Sequence, residues 1–140
     1  MNFARVAAAA IIAWVVSLAL GFFINTVLLA DLAIANAAAM RPEAQVMGLL
    51  PVGFVFLLVG FFAFAYAYAK GYEGGNGVME GVRFGVLVAI IVCCFGLIWQ
   101  WIMYPITGAY VTAIMIDAIV EMAIYGAIVG AIYKPVGVRA

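Results

Sequence analysis

Four uninterrupted apolar runs, each long enough to cross a bilayer, constrain this chain more than any other feature. A hydrocarbon core about 30 Å thick takes roughly 20 consecutive apolar residues in helical form. Residues 6–30, 46–69, 78–104 and 107–133 meet that requirement. Within lipid, every backbone N–H and C=O must be satisfied inside the segment, so each run is expected to be an α-helix. The chain as a whole is too apolar to cover itself with a polar surface: 71% of residues are hydrophobic and 9% charged, against roughly 25% charge in soluble domains. The expected fold is all-α, an integral membrane four-helix bundle forming a single transmembrane domain over residues 1–140.

The breaks between the runs carry their own chemistry. Ala37 to Glu43 is a short polar loop in which Pro42 stops any continuing helix. Gly71 to Gly77 is a glycine-rich turn, with Asn76 available to cap the third helix. Tyr104-Pro105-Ile106-Thr107-Gly108 is a tight hairpin. Short connections make sequence neighbours antiparallel neighbours, which predicts an up-down-up-down order. Arg5, Lys70, Arg83, Lys134 and Arg139 then fall on one side and Arg41 alone on the other, so the positive-inside rule predicts both termini in the cytoplasm. Trp99, Trp101 and Tyr104 are expected to form an outer aromatic belt, and Tyr66, Tyr68, Tyr72 and Tyr133 an inner one. Ala35-Asn36-Ala37 has the form of a signal-peptidase site, but the apolar run before it is too long for a signal core, and an uncleaved first helix is expected.

Charge inside the spans is scarce and therefore informative. Asp117 and Glu121 lie one helical turn apart in the middle of the last run. A carboxylate at that depth costs about 2.5–3.5 kcal/mol on insertion scales and persists when it has a partner, a proton or a task. At about 100° per residue, Tyr110, Asp117, Glu121, Tyr125 and Ile128 share one face of the fourth helix, with Gly108, Gly126 and Gly130 opposite. In the third helix Gly77, Gly81 and Gly85 form a small-residue stripe, while Arg83, Ile90, Cys94 and Trp101 point the other way. Glycine stripes let backbones approach where lipid supplies no hydrophobic force, and charged faces avoid lipid. The expectation is a charge network of Arg83 with Glu121, joined by Glu80, bridging an axial offset of about 9 Å. The glycine stripes would then face helices one and two or a neighbouring subunit. Asn25, Gln100 and Thr112 are the polar residues expected near Asp117, Tyr125 is a further supporting polar residue of the network, and the two acids are expected to titrate as a coupled pair. Trp14, Gly21 and Asn25 share the face of helix one expected to turn inward, and Gly53 and Gly60 could mark a seam on helix two. The same acids could instead serve only as a structural polar network that fixes helix register.

Several function classes are poorly served. Histidine is absent, which removes the commonest metal ligand and general base. Cys93 and Cys94 are adjacent, point about 100° apart on a helix, and read as small buried hydrophobes rather than a disulfide or metal pair. Net charge is zero, without the basic block that nucleic acid requires. The Gly71–Gly77 loop lacks the Lys-Ser/Thr of a phosphate loop. Acids one turn apart on one helix do not have the facing geometry of an aspartyl dyad. No cofactor, metal or enzymatic activity is therefore expected.

Glu80-Gly81-Val82-Arg83-Phe84-Gly85 after a glycine-rich loop, Tyr104-Pro105, Ile119-Val120-Glu121 and Tyr133-Lys134-Pro135 together resemble a group of uncharacterised small four-helix bacterial inner-membrane proteins. That resemblance covers the second half of the chain best. It implies a four-span protein of the bacterial inner membrane and adds weight to Arg83 and Glu121, without implying an activity. Two functional expectations follow: a non-enzymatic bundle that self-associates or joins a larger membrane assembly, and a small transporter or proton or cation pathway using Asp117 and Glu121 with Arg83 as counter-charge.

Overall fold

The computed structural model describes residues 1–133, and all its regular elements are helical. Lys134, Pro135 and Arg139, on which parts of the orientation and resemblance readings draw, lie outside the described residues. Four helices are long and apolar enough to cross a membrane: α1 (Phe3–Leu28), α3 (Glu43–Gly71), α4 (Gly77–Met103) and α5 (Gly108–Ile132). A short α2 (Ala30–Ala35) and a 3-10 turn (Ala37–Ala39) follow α1.

Local chemistry sets the ends. The Asn2 side chain accepts from Arg5 N at 3.2 Å, which starts α1 ahead of the expected position. Asn76 Oδ1 accepts from the Val78 and Met79 amides and caps α4, while Thr107 Oγ1 accepts from Tyr110 N and caps α5. Pro42 precedes α3 and Pro51 lies inside it. Both α1 and α4 pass through a π-turn, Ile24–Leu28 and Cys93–Leu97. In the first, Asn25 and Thr26 side chains bond back to the Gly21 and Phe22 carbonyls, which offers those acceptors partners as the helix widens.

The closest packing joins α4 to α5. Gly77 lies against Gly130, Gly81 against Gly126 and Gly85 against Met122, one number rising as the other falls. A Cβ built at Gly81 would overlap the Gly126 carbonyl, and one built at Gly126 would overlap the Gly81 carbonyl and sit 3.2 Å from Gly85 Cα. The two stripes therefore face each other. This corrects the expectation that they would turn toward helices one and two or another subunit. The physical reason is that two matched glycine faces within one hairpin give the closest backbone approach available to either helix.

The core lies around a second layer. Val6, Ala9, Ala10, Ala13 and Ser17 form the buried face of α1, at alternating three- and four-residue spacing. Val6, Ala9, Ala10 and Ala13 meet Phe61, Ala65 and Tyr68 of α3 and Tyr125, Val129 and Tyr133 at the end of α5. Arg5 Nη1 donates to Ile132 O at 3.1 Å at that end. The expected inward face of α1 is corrected: only Trp14 of its three residues makes a cross-helix contact, donating from Nε1 to Phe54 O, while Asn25 is exposed and Gly21 has no atom within 4 Å of an added Cβ. Small alanines, not the polar residues, set the approach.

Tyr68 and Tyr133, each 3% exposed, are core residues and not belt residues. With Tyr72 and Phe84 they form a chain of edge and tilted ring contacts at centroid distances of 5.7–6.1 Å. Tyr66, Trp99, Trp101 and Tyr104 are exposed. Away from this end, α3 stands apart: of residues 43–60, only Leu50 and Leu58 are even half-buried. Gly53 and Gly60 have nothing within 4 Å of an added Cβ, so no seam forms there.

Gly81→Ala is expected to lower resistance to unfolding in detergent by about 1–3 kcal/mol, since the added methyl meets main chain that cannot yield. Gly53→Ala should leave it unchanged or slightly raised. Equal behaviour of the two variants in a titrated-denaturant assay would contradict the backbone contact described here.

Candidate functional site

The middle of α5 carries Asp117 and Glu121 on successive turns. Glu121 is half-buried and accepts a hydrogen bond from Tyr125 Oη at 2.7 Å. The i, i+4 spacing places the two side chains over one another on a helix face. Tyr125 is 2% exposed, and its ring meets Phe61 of α3 edge-on, with centroids 5.0 Å apart and planes at 81°. Phe61 thus holds the phenol in place and the phenol orients the carboxylate. Asp117, one turn away and half-buried, has no side-chain hydrogen bond among the described residues. The residues expected to support it are elsewhere: Asn25 donates to Gly21 O at 2.8 Å, and Gln100 and Thr112 are exposed.

The structure does not bring Arg83 to Glu121. Gly81 and Gly85 face α5, and two positions along a helix turn a side chain by about 200°. Arg83 therefore points away from α5, and it is exposed. The expected Arg83–Glu121 pairing rested on the charged faces meeting between these helices, but the glycine faces occupy that interface.

Arg83 instead shares a second site with Glu80. Both line a cleft of about 220 Å³ between α3 and α4, with Glu73, Tyr68 and Phe84. Glu80 Oε1 accepts from Gly75 N at 2.7 Å, which ties the turn before α4 to that helix. Glu80 Oε2 is buried without a hydrogen-bond partner among the described residues. Tyr68 Oη donates to Gly77 O at 2.9 Å and lies beside Gly130, so the cleft is anchored to the glycine contact. The expected network of Asp117, Glu121, Arg83 and Glu80 is two separate groups.

One polar bridge was not foreseen from the sequence. Asn36, 3% exposed, donates from Nδ2 to Leu32 O at 2.7 Å and to Thr107 Oγ1 at 3.1 Å, and its Oδ1 accepts from Thr107 N at 2.7 Å. It fastens the end of α2 to the start of α5. A lone asparagine in an alanine-rich stretch signals a local cap at most; its partner lies 71 residues away. Cys93 is half-buried, with Sγ 3.8 Å from Met115 O, and Cys94 is exposed, so the reading of both as buried is corrected. Among the described residues, no group of three or more His, Cys, Asp or Glu side chains could hold a metal ion.

Chemically, Glu121 with Tyr125 offers an oriented carboxyl group in mid-helix that has a phenol donor and, among the described residues, no cation partner. It can take a proton, or meet a cation brought to it. No family model matches the chain, and no curated protein or solved structure matches it either.

Tyr125→Phe is expected to cost about 1 kcal/mol through the lost hydrogen bond, and Tyr125→Ala about 3–5 kcal/mol through the lost ring packing. Detergent unfolding of both variants checks this; equal losses would show that Phe61 does not buttress the pair.

Proposed function

We propose that this chain is a non-enzymatic, multi-pass protein of the bacterial inner membrane, an antiparallel up-down-up-down bundle with both termini in the cytoplasm. It acts by association, with copies of itself or as a subunit of a larger membrane assembly. The observation that most supports this reading is the asymmetry of α3. Its second half is packed into the core, while almost every residue from Glu43 to Val59 is exposed around the helix. Gly48 and Gly53 in that stretch leave backbone accessible, which favours helix–helix contact where lipid gives no hydrophobic drive. The resemblance noted in the sequence adds the bacterial inner membrane to this reading.

The test is a substitution that the isolated chain tolerates. Gly53→Leu fills space empty in the monomer, so stability should hold while association, read by energy transfer between labelled copies in liposomes, weakens about tenfold. Unchanged transfer would remove this face of α3 from any self-association.

A second reading, a proton or cation pathway, is favoured by Glu121 having a phenol and, among the described residues, no cation as its partner. Intramembrane carboxylates commonly mark such routes. Reconstituted chain should then carry protons into dye-loaded liposomes, with flux lost in Glu121→Gln. Equal flux in the variant would exclude Glu121 from transport.

A further inference from the structure

We propose that the cleft between α3 and α4 holds one phospholipid molecule whose headgroup carries a primary ammonium. The inference rests on the bilayer placement above and adds a specific ligand to it.

Two cavities lie end to end between these helices. The one near the Gly71–Gly77 turn is about 220 Å³ and carries charge in its lining, from Glu73, Glu80 and Arg83. The other is about 350 Å³ and is lined by apolar side chains and glycine, including Gly60, Phe64, Ala67 and Val88. Phe84 lines both, so an apolar trough runs from a charged end toward the middle of the spans. Its floor is open at Gly60, where nothing approaches within 4 Å of an added Cβ. A charged end beside a groove without charge matches a lipid's head and chain.

The charged end also selects among heads. Glu80 Oε2 is buried and lacks a donor among the described residues, while Oε1 is already engaged by Gly75 N. Arg83 stands three residues along the same helix and is exposed. Side chains at that spacing sit about 5–6 Å apart at Cβ, which suits an ammonium and a phosphate separated by two carbons. The ammonium donates to Glu80 Oε2, and the Arg83 guanidinium pairs with the phosphate. A quaternary choline head has no N–H to donate, and a glycerol head brings no positive charge to the acids.

The experiment uses the full chain, first shown to stay with membranes after carbonate washing, then exchanged into mild detergent for native mass spectrometry. Dioleoyl phosphatidylethanolamine, phosphatidylcholine and phosphatidylglycerol are added at equal concentration. The ethanolamine lipid should give the dominant one-to-one adduct. Glu80→Gln, which keeps an oxygen for Gly75 N, should weaken that adduct about tenfold and abolish the preference over choline. Gly60→Leu should lower all three adducts by filling the trough. Equal adducts of the ethanolamine and choline lipids, or no change in Glu80→Gln, would overturn the proposal. A dimer free of lipid adducts would overturn it too and assign the trough to a second copy. Loss of the chain on carbonate washing would refute the bilayer placement itself, and this inference with it.

Discussion

Everything else in this molecule is arranged around the glycine contact between α4 and α5. At Gly81 and Gly126 the direction a side chain would take is occupied by the opposite carbonyl. Each glycine therefore aims a Cα–H at a main-chain oxygen, a weak hydrogen bond that recurs at close helix interfaces. In lipid there is little else to hold two apolar rods together, so close packing and such contacts carry the association. Once the hairpin uses its glycine faces internally, the charged faces of both helices must turn outward from it. Glu121 and Tyr125 then look toward Phe61 of α3, and Arg83 and Glu80 toward the α3–α4 cleft.

Onto this hairpin the rest of the chain packs unevenly. The alanine face of α1 and the aromatic residues Phe61, Tyr68, Tyr125 and Tyr133 make a dense layer near the chain termini. Tyr68 ties the two layers together, because its hydroxyl bonds to Gly77 while its ring meets Phe84 and Tyr133. Toward the opposite end side-chain bonds between the helical segments are few, chiefly the Asn36–Thr107 bridge and Trp14 on Phe54. An α-helix satisfies most of its own backbone, so the first half of α3 can stand away from the bundle in a bilayer, with Trp14 on Phe54 O as its tie to α1.

The carboxylates meet their desolvation cost in different ways. Glu121 relies on a phenol held by a buried ring, and Glu80 relies on a backbone amide for one oxygen only. Neither arrangement neutralises charge as an ion pair would. A proton, a partner's cation or a lipid ammonium remains to complete each site, and the proposed functions are the forms that completion takes.

The number of membrane-length helices and their approximate ends were legible from the sequence, because hydropathy, Pro42 and Asn76 act locally, whereas the short α2 and the Thr107 cap of α5 were not. The glycine stripes were equally visible, and helical spacing put Tyr125 on the face of Glu121, but the partner expected for that carboxylate was Arg83 and not the phenol that bonds to it. What faces the stripes was not visible. A stripe is complementary to any other small-residue face, and α1 offers an alanine face that competes with the one on α5. Only the three-dimensional packing decided that glycine meets glycine, and with it that Arg83 lies far around α4 from Glu121. The same holds for Asn36 and Thr107: an amide can bond to any donor and acceptor of suitable geometry, and chain separation carries no trace of which one it finds.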